Sequence, residues 1–371
     1  MERLHMSYTY PELPTPAVIV DLDIVERNIA RLAAKLKAQG IAHRPHIKST
    51  KSVYFARKQL EAGAIGITVA KLSEAEVFAE AGIDSILVAY PIIGEDKLER
   101  FARLHLKANM LATVDSVQGA LGLSRVGETT GKPVQVLIEI DGGLNRGGRQ
   151  PGEDAVSFAR EIAVLPGIHI RGIMGYFGTI YGNKDEASFR AAVRRESETM
   201  QAVKTSLLEA GIGVDIVSTG SSPAALLCEE LSGVSEVRAG NYILFDVSGV
   251  AMGFATEEDC ALRVVATVVS TPLPGRATID AGTKTLTSDK AHNRDGFGIV
   301  VGRPELRITG LNEEHGFLQF DPETASLAVG DRIEIIPNHS CVIPNLCDRI
   351  NGVRGGQVER TIPVDARGCN Y

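Results

Sequence analysis

The sequence predicts an α/β protein, a (β/α)8 TIM-like barrel followed by an all-β domain, on three observations. At 371 residues the chain is longer than a single hydrophobic core usually serves. From about residue 41 to 246 it repeats a short β-branched run, a polar turn and an amphipathic stretch of helical period. Beyond about residue 255 that texture gives way to short alternating runs separated by Pro and Gly.

Taken in order, the barrel strands are expected at 41–47, 66–70, 85–90, 110–114, 134–140, 170–176, 215–219 and 236–245. Helices are expected between them at 52–62, 72–81, 95–106, 154–164, 185–210 and 223–231, several entered through Ser, Asp or Asn and left through Gly. Eight parallel strands alternating with helices close into a barrel. A doubly wound sheet would ask for a Gly-rich fingerprint after its first strand, and the chain has Lys48-Ser49-Thr50-Lys51 there. A strand at 17–21 with its helix at 24–38 is one pair too many for the barrel, and it is assigned to the second domain. The barrel domain is set at residues 17–250 and the β domain at 251–371, with residues 1–22 contributing to the latter. Runs at 261–269, 277–280, 298–301 and 332–336 stand for the β-domain strands.

Composition narrows the function classes. Hydrophobic residues make up 44% and charged residues 23%, as in a chain that folds around a core. The net charge is -7 and no Lys/Arg cluster is long enough for a phosphate backbone, so nucleic acid is not an expected partner. Residues 1–14 are polar and broken by two prolines, and no apolar run approaches membrane-spanning length. A cytoplasmic protein with no membrane partner is the expectation. Five cysteines, an odd and scattered set, do not suggest a disulfide framework.

Barrel enzymes carry their chemistry at the C-terminal ends of the strands, so the polar residues there are the candidates. Lys48 ends the first strand, and alternation would put it on one face with His46 and Arg44. A lysine desolvated in the barrel mouth would favour its neutral amine, the form that condenses with an aldehyde; the plain alternative is a surface lysine. Thr219-Gly220-Ser221-Ser222-Pro223 ends the seventh strand and opens a helix, which suits backbone N–H groups to an anion such as phosphate. Gly240-Asn241-Tyr242 is a second turn that would complete this cradle. Arg146, flanked by glycines after the fifth strand, and Tyr176 at the end of the sixth are placed to reach a cofactor ring, the plain alternatives being a flexible surface loop for Arg146 and core packing for Tyr176. His339 and Cys341, at i and i+2, would share one face of an extended chain and suit two ligands of a divalent ion, leaving positions open for water and substrate. Asp280-Ala281-Gly282 and Glu313-Glu314-His315-Gly316 read as polar turns.

Together these motifs resemble the family of D-serine dehydratases and D-threonine aldolases, fold-type III pyridoxal-phosphate enzymes related to alanine racemase. The resemblance runs through Leu13-Pro14-Thr15-Pro16, Arg44-Pro45-His46-Ile47-Lys48, Gly66-Ile67-Thr68-Val69-Ala70-Lys71, Gly175-Tyr176, the Ser218–Pro223 loop, Glu236-Val237-Arg238 and Pro337-Asn338-His339-Ser340-Cys341. It implies that Lys48 is the Schiff-base lysine of pyridoxal 5'-phosphate. It further implies that Gly220, Ser221 and Ser222 bind the phosphate, that Arg146 and Tyr176 contact the cofactor, and that His339 and Cys341 are the metal ligands, zinc before manganese. One departure stands out: the family usually has a histidine where this chain has Thr50.

The implied activity is that of a lyase acting on a small D-3-hydroxy amino acid. The His-x-Cys pair looks like the D-serine dehydratase branch, whereas aldolases of the family can show His-x-Asp. A metal-independent racemase would leave His339 and Cys341 unexplained, and a non-catalytic pyridoxal-phosphate carrier would lack the β domain. A homodimer is the assembly the resemblance implies.

Overall fold

The computed structural model describes residues 10–371. The chain divides into two compact units, one holding Ala30–Lys48, Phe55–Gly240 and Cys369–Tyr371, the other the residues up to Ile29 together with Ser49–Tyr54 and Asn241–Gly368.

In the first unit eight strands run parallel in the order Ala42–His43, Glu236–Val237, Ile216–Thr219, Ile168–Tyr176, Val134–Asp141, Asn109–Val114, Ser85–Val88 and Ile67–Val69. The ends of this sheet meet. His46 bridges Thr68 in parallel, and the N–H groups of Ile65 and Thr68 donate to the carbonyls of His43 and Pro45 at 2.9 and 2.8 Å. Closure removes both sheet edges, as in a (β/α)8 barrel. Leu87, Leu111, Leu137 and Met174, from four neighbouring strands, form one buried cluster of its core.

Most helices fall where the periodicity predicts, and their starts have local causes. The Asp185 side chain accepts the Ser188 N–H and caps the long helix Glu186–Glu209. Helix Val117–Thr130 was not among the expected ones, because Gly119, Gly122 and Gly127 dilute its helical signal. Those glycines answer to packing: a Cβ on Gly127 would sit 1.8 Å from the Gly167 carbonyl oxygen. The helix expected at 223–231 is split into Ser222–Leu226 and a 3-10 turn at Cys228–Glu230.

Two barrel strands depart from the sequence reading. Pro45 has no N–H for the ladder, so the first strand is cut to Ala42–His43 and the chain turns into a 3-10 segment at Ile47–Ser49. Arg44, His46 and Lys48 therefore do not share one strand face. The eighth strand is also short, Glu236–Val237, and the apolar run Tyr242 to Phe245 that looked like its continuation is buried in a 3-10 turn at Asn241–Ile243. A short continuous apolar run does not distinguish a buried strand from a buried turn.

The second unit is built on a nine-stranded, mostly antiparallel sheet. Its path is Arg307–Leu311, Gly316–Gln319, Arg276–Ile279, Leu262–Leu273, Ala17–Asp21, Arg349–Arg354 and Gln357–Pro363, with Arg332–Ile336 pairing both Leu262–Leu273 and Ile299–Val300. The strand Ala17–Asp21 lies here, antiparallel to Leu262–Leu273 and parallel to Arg349–Arg354. Its apolar side chains Ala17 and Ile19 pack with Tyr10, Leu13, Val265 and Val353. Residues 1–9 of the predicted N-terminal contribution lie outside the described residues. No described helix is long and apolar enough to cross a membrane.

Candidate active site

Within the barrel unit the strand ends bring together a group of charged side chains. Lys48 sits on the 3-10 turn after the first strand and is exposed, not desolvated as the sequence reading supposed. Its backbone N–H donates to Nδ1 of His46 at 3.4 Å. Burial and then the cations Lys48, Arg238 and Arg146 hold the His46 imidazole well below its usual pKa. The ring is therefore neutral at pH 7, with Nδ1 the acceptor and the proton on Nε2. Lys48, Arg238 and Arg146 thus each lie close enough to His46 to act on its charge. Arg146 lies over the Tyr176 ring at 4.9 Å, an arrangement that orders both groups.

Beneath this group the polar side chains are tightly paired. Arg44 donates through Nε to Glu236 at 3.0 Å and through its Nη1 to Ser85 at 2.8 Å. Ser218 donates to Glu236 at 2.7 Å, and Arg238 donates to Ser218 and to the Gly175 carbonyl, each at 2.6 Å. Glu139 has its carboxyl pushed up by burial and by Asp115, with Arg146 and Arg238 opposing.

The loop after the seventh strand has the form of a cradle. Gly220 is at φ +89, and a Cβ there would come within 2.8 Å of Val237. The Thr219 hydroxyl and the Gly220 N–H both donate to Oε1 of the buried Glu196, at 2.5 and 2.9 Å. Ser221 accepts the Ala224 N–H and caps the short helix behind it. The surfaces left to an anion are therefore those of Ser221 and Ser222, both buried. Gly240 belongs to this unit, whereas Asn241 and Tyr242 belong to the other. Tightness at Gly220, small hydroxyl residues after it, and an amine at Lys48 fit a phosphorylated aldehyde cofactor.

In the β unit His339 and Cys341 follow the strand Arg332–Ile336, and they interact side chain to side chain. Nδ1 of His339 lies 3.2 Å from Oδ2 of Asp246, which also accepts the Ser340 N–H at 3.0 Å and the Asn241 amide at 2.8 Å. Asn241 Oδ1 in turn accepts the Ser340 hydroxyl at 2.5 Å. Burial opposes charge on His339, but Cys341 and Asp246 outweigh it and raise the imidazole to about 11. Cys341 Sγ donates to Ser49 Oγ at 3.3 Å. Among the described residues no three His, Cys, Asp or Glu side chains form a ready set of metal ligands. An imidazole and a thiol with a carboxylate behind the imidazole is nonetheless a donor set that suits a borderline-soft divalent ion with other positions left open. Tyr242 is fully buried, its phenol pushed well up by burial, and Thr50 is buried as well.

The sequence reading missed Asp246, Glu196 and the Arg44–Glu236 pair. Asp246 follows an apolar run and opens the helix Val247–Ala251, so a strand-end rule applied at 246 would have singled it out. Glu196 lies in the middle of a helix and carried no such signal.

The model described as "Alanine racemase, N-terminal domain" matches residues 20–247. The chain belongs to that family. A second model, described as "Putative serine dehydratase domain", matches residues 261–353. Relatives of this family member include D-threo-3-hydroxyaspartate dehydratase of Delftia sp. (strain HT23), 35% identical over 91% of this chain and 93% of that one. Another is 3-hydroxy-D-aspartate aldolase of Paracoccus denitrificans (strain Pd 1222), 32% identical over 97% and 94%. Among solved structures, D-threonine aldolase from Filomicrobium marinum superposes with a TM-score of 0.91 at 32% identity, covering 100% of this chain and 99% of that one. A cysteine-to-alanine mutant of D-threo-3-hydroxyaspartate dehydratase in a metal-free form gives 0.89 at 33%, covering 96% and 99%. A mutant of the same enzyme lacking a histidine two positions before that cysteine gives 0.87 at 33%, covering 96% of each chain.

Proposed function

We propose that this protein is a pyridoxal 5'-phosphate- and divalent-metal-dependent lyase that converts a D-3-hydroxy amino acid into a 2-keto acid and ammonia. The observation that carries the dehydratase reading is the His339-x-Cys341 pair with its imidazole held by Asp246 at 3.2 Å. The same spacing of histidine and cysteine in the mutated D-threo-3-hydroxyaspartate dehydratase supports it.

Pyridoxal phosphate, when bound, supplies an electron sink for charge developing at the substrate Cα. A divalent ion on His339 and Cys341, with zinc the first choice, supplies a Lewis acid for the 3-hydroxyl. Everything else falls to side chains of the chain. Lys48 Nζ, exposed on the turn after the first strand, would hold the cofactor through its aldehyde and would serve as the base for the substrate Cα proton. Ser221 and Ser222 would hold the phosphate, while Arg146, over the Tyr176 ring at 4.9 Å, would orient the cofactor ring. His46, neutral with its proton on Nε2, adds no positive charge beside Lys48.

A retro-aldol outcome from the same residues is the second reading, favoured by the similarity to the Filomicrobium and Paracoccus aldolases. Product analysis separates them. D-3-hydroxyaspartate, D-serine and D-threonine are supplied with and without zinc or manganese, with the L-isomers as controls. Metal-dependent keto acid and ammonia are expected; glycine with an aldehyde would establish the aldolase instead. A homodimer is the expected assembly, checked by light scattering on the purified chain.

A further inference from the structure

Glu196 projects from the middle of helix Glu186–Glu209 into the barrel unit and is 1% exposed. One oxygen, Oε1, accepts both the Thr219 hydroxyl at 2.5 Å and the Gly220 N–H at 2.9 Å. These two residues directly precede Ser221 and Ser222, and Gly220 holds the positive φ that turns the loop. The carboxyl is thus built into the back of the loop, without a surface role.

Two donors converging on one oxygen leave Oε2 as the place for a proton. Burial pushes the carboxyl up to about 7, with Thr219, Gly220 and Arg238 opposing. Arg238 is the charged group that acts on it: Glu229 and Glu230, on the turn beside the helix, pair with Arg190 and Arg194, and Arg160 and Glu161 on the neighbouring helix are exposed. Like charges in one poorly solvated place cannot easily coexist.

We propose that Glu196 is a positioning residue for the cofactor phosphate, holding the Thr219–Gly220 backbone in binding form while neutral and loosening the cofactor when it ionises. The inference rests on the reading that this loop takes the phosphate of pyridoxal phosphate. The neutral carboxyl accepts both hydrogen bonds at no cost in charge; the carboxylate accepts them too, but sets a negative charge behind a loop that receives a phosphate dianion. Cofactor binding and proton uptake at Oε2 are then linked, and retention is strongest below the carboxyl's pKa.

The test is the rate of cofactor loss from the purified holoenzyme between pH 6 and 8.5, read by chemical assay of the pyridoxal phosphate that remains after desalting. Loss from the wild type is expected to accelerate about tenfold across that range, the equivalent of a one-unit pKa difference between loaded and empty protein. Glu196→Gln, which keeps the acceptor oxygen and never ionises, is expected to release slowly with little pH dependence, and Glu196→Ala rapidly at every pH. Thr219→Val, which removes one donor and so raises the carboxyl's pKa, should shift the midpoint of the acceleration to higher pH. Wild-type pH dependence in Glu196→Gln, or an unmoved midpoint in Thr219→Val, would overturn the role of Glu196. A wild type that retains no pyridoxal phosphate at any pH would instead overturn the cofactor reading beneath it.

Discussion

Nδ1 of His339 and Oδ2 of Asp246 are 3.2 Å apart, and four further bonds fix the aspartate: Ser340 N–H at 3.0 Å and hydroxyl at 3.4 Å, the Asn241 amide at 2.8 Å, and Gly249 N–H at 3.1 Å on Oδ1. A carboxylate tied in this way cannot swing with the imidazole, so it sets the ring's direction. With the proton on Nδ1 shared with Asp246, Nε2 is the atom left for a metal. Asp246→Ala is expected to weaken metal binding about ten- to a hundredfold. Metal content after dialysis against graded chelator measures this, and unchanged content would remove Asp246 from the centre.

Lys48→Ala is expected to abolish the visible absorbance of the lysine-bound cofactor and with it all turnover. An unchanged band in the purified variant would place the covalent attachment at another lysine.

His339→Ala is expected to lower metal content and activity together, by more than tenfold in activity, since a bound ion typically supplies several kcal/mol to a polarised oxygen. Full activity after thorough metal removal would sink the role given to His339 and Cys341.

The His43 imidazole is buried, which pushes it down to about 4, with its bond to the Ala239 carbonyl (3.1 Å) opposing. Since the folded pKa lies below the unfolded value of 6.5, the stabilising effect is complete above pH 6.5 and is lost as pH falls through about 4. The cost at the acid end is ~3 kcal/mol. His43→Gln, which does not titrate, should show a smaller drop in thermal midpoint between pH 7 and 4 than the wild type; equal drops would show that other groups govern the acid response.

Arg44 and Glu236 form an ion pair with side chains only 6% and 3% exposed. Arg44→Met strands the Glu236 carboxylate and is expected to destabilise the barrel unit by ~3–5 kcal/mol. Adding Glu236→Gln should recover part of the loss, because the stranded charge is then gone. Denaturant midpoints for the single and double variants decide it; a single variant as stable as wild type would show that water reaches the pair.

Local pattern determined a good part of this protein. The β-branched runs between 66 and 219 located the barrel strands to within a few residues, since each is a continuous apolar segment bounded by turn residues. The strand at Ala17–Asp21 could be assigned to the β unit by counting alone, because a ninth parallel strand has no place in an eight-stranded ring. Lys48, Ser221, Ser222, His339 and Cys341 could be put forward as candidates because a chemically capable residue next to a strand end is visible in one dimension. What those residues lean on was decided only by the tertiary structure. Asp246 meets His339 across 93 residues, Arg44 meets Glu236 across 192, and Glu196 reaches back to Thr219 from within a regular helix. No periodicity encodes such pairs, for they exist only once the sheet has closed and the charges are out of water. Desolvation then makes an unpaired carboxyl or guanidinium costly and a paired one specific, which is why these buried partners, unlike the candidates at strand ends, had to wait for the fold.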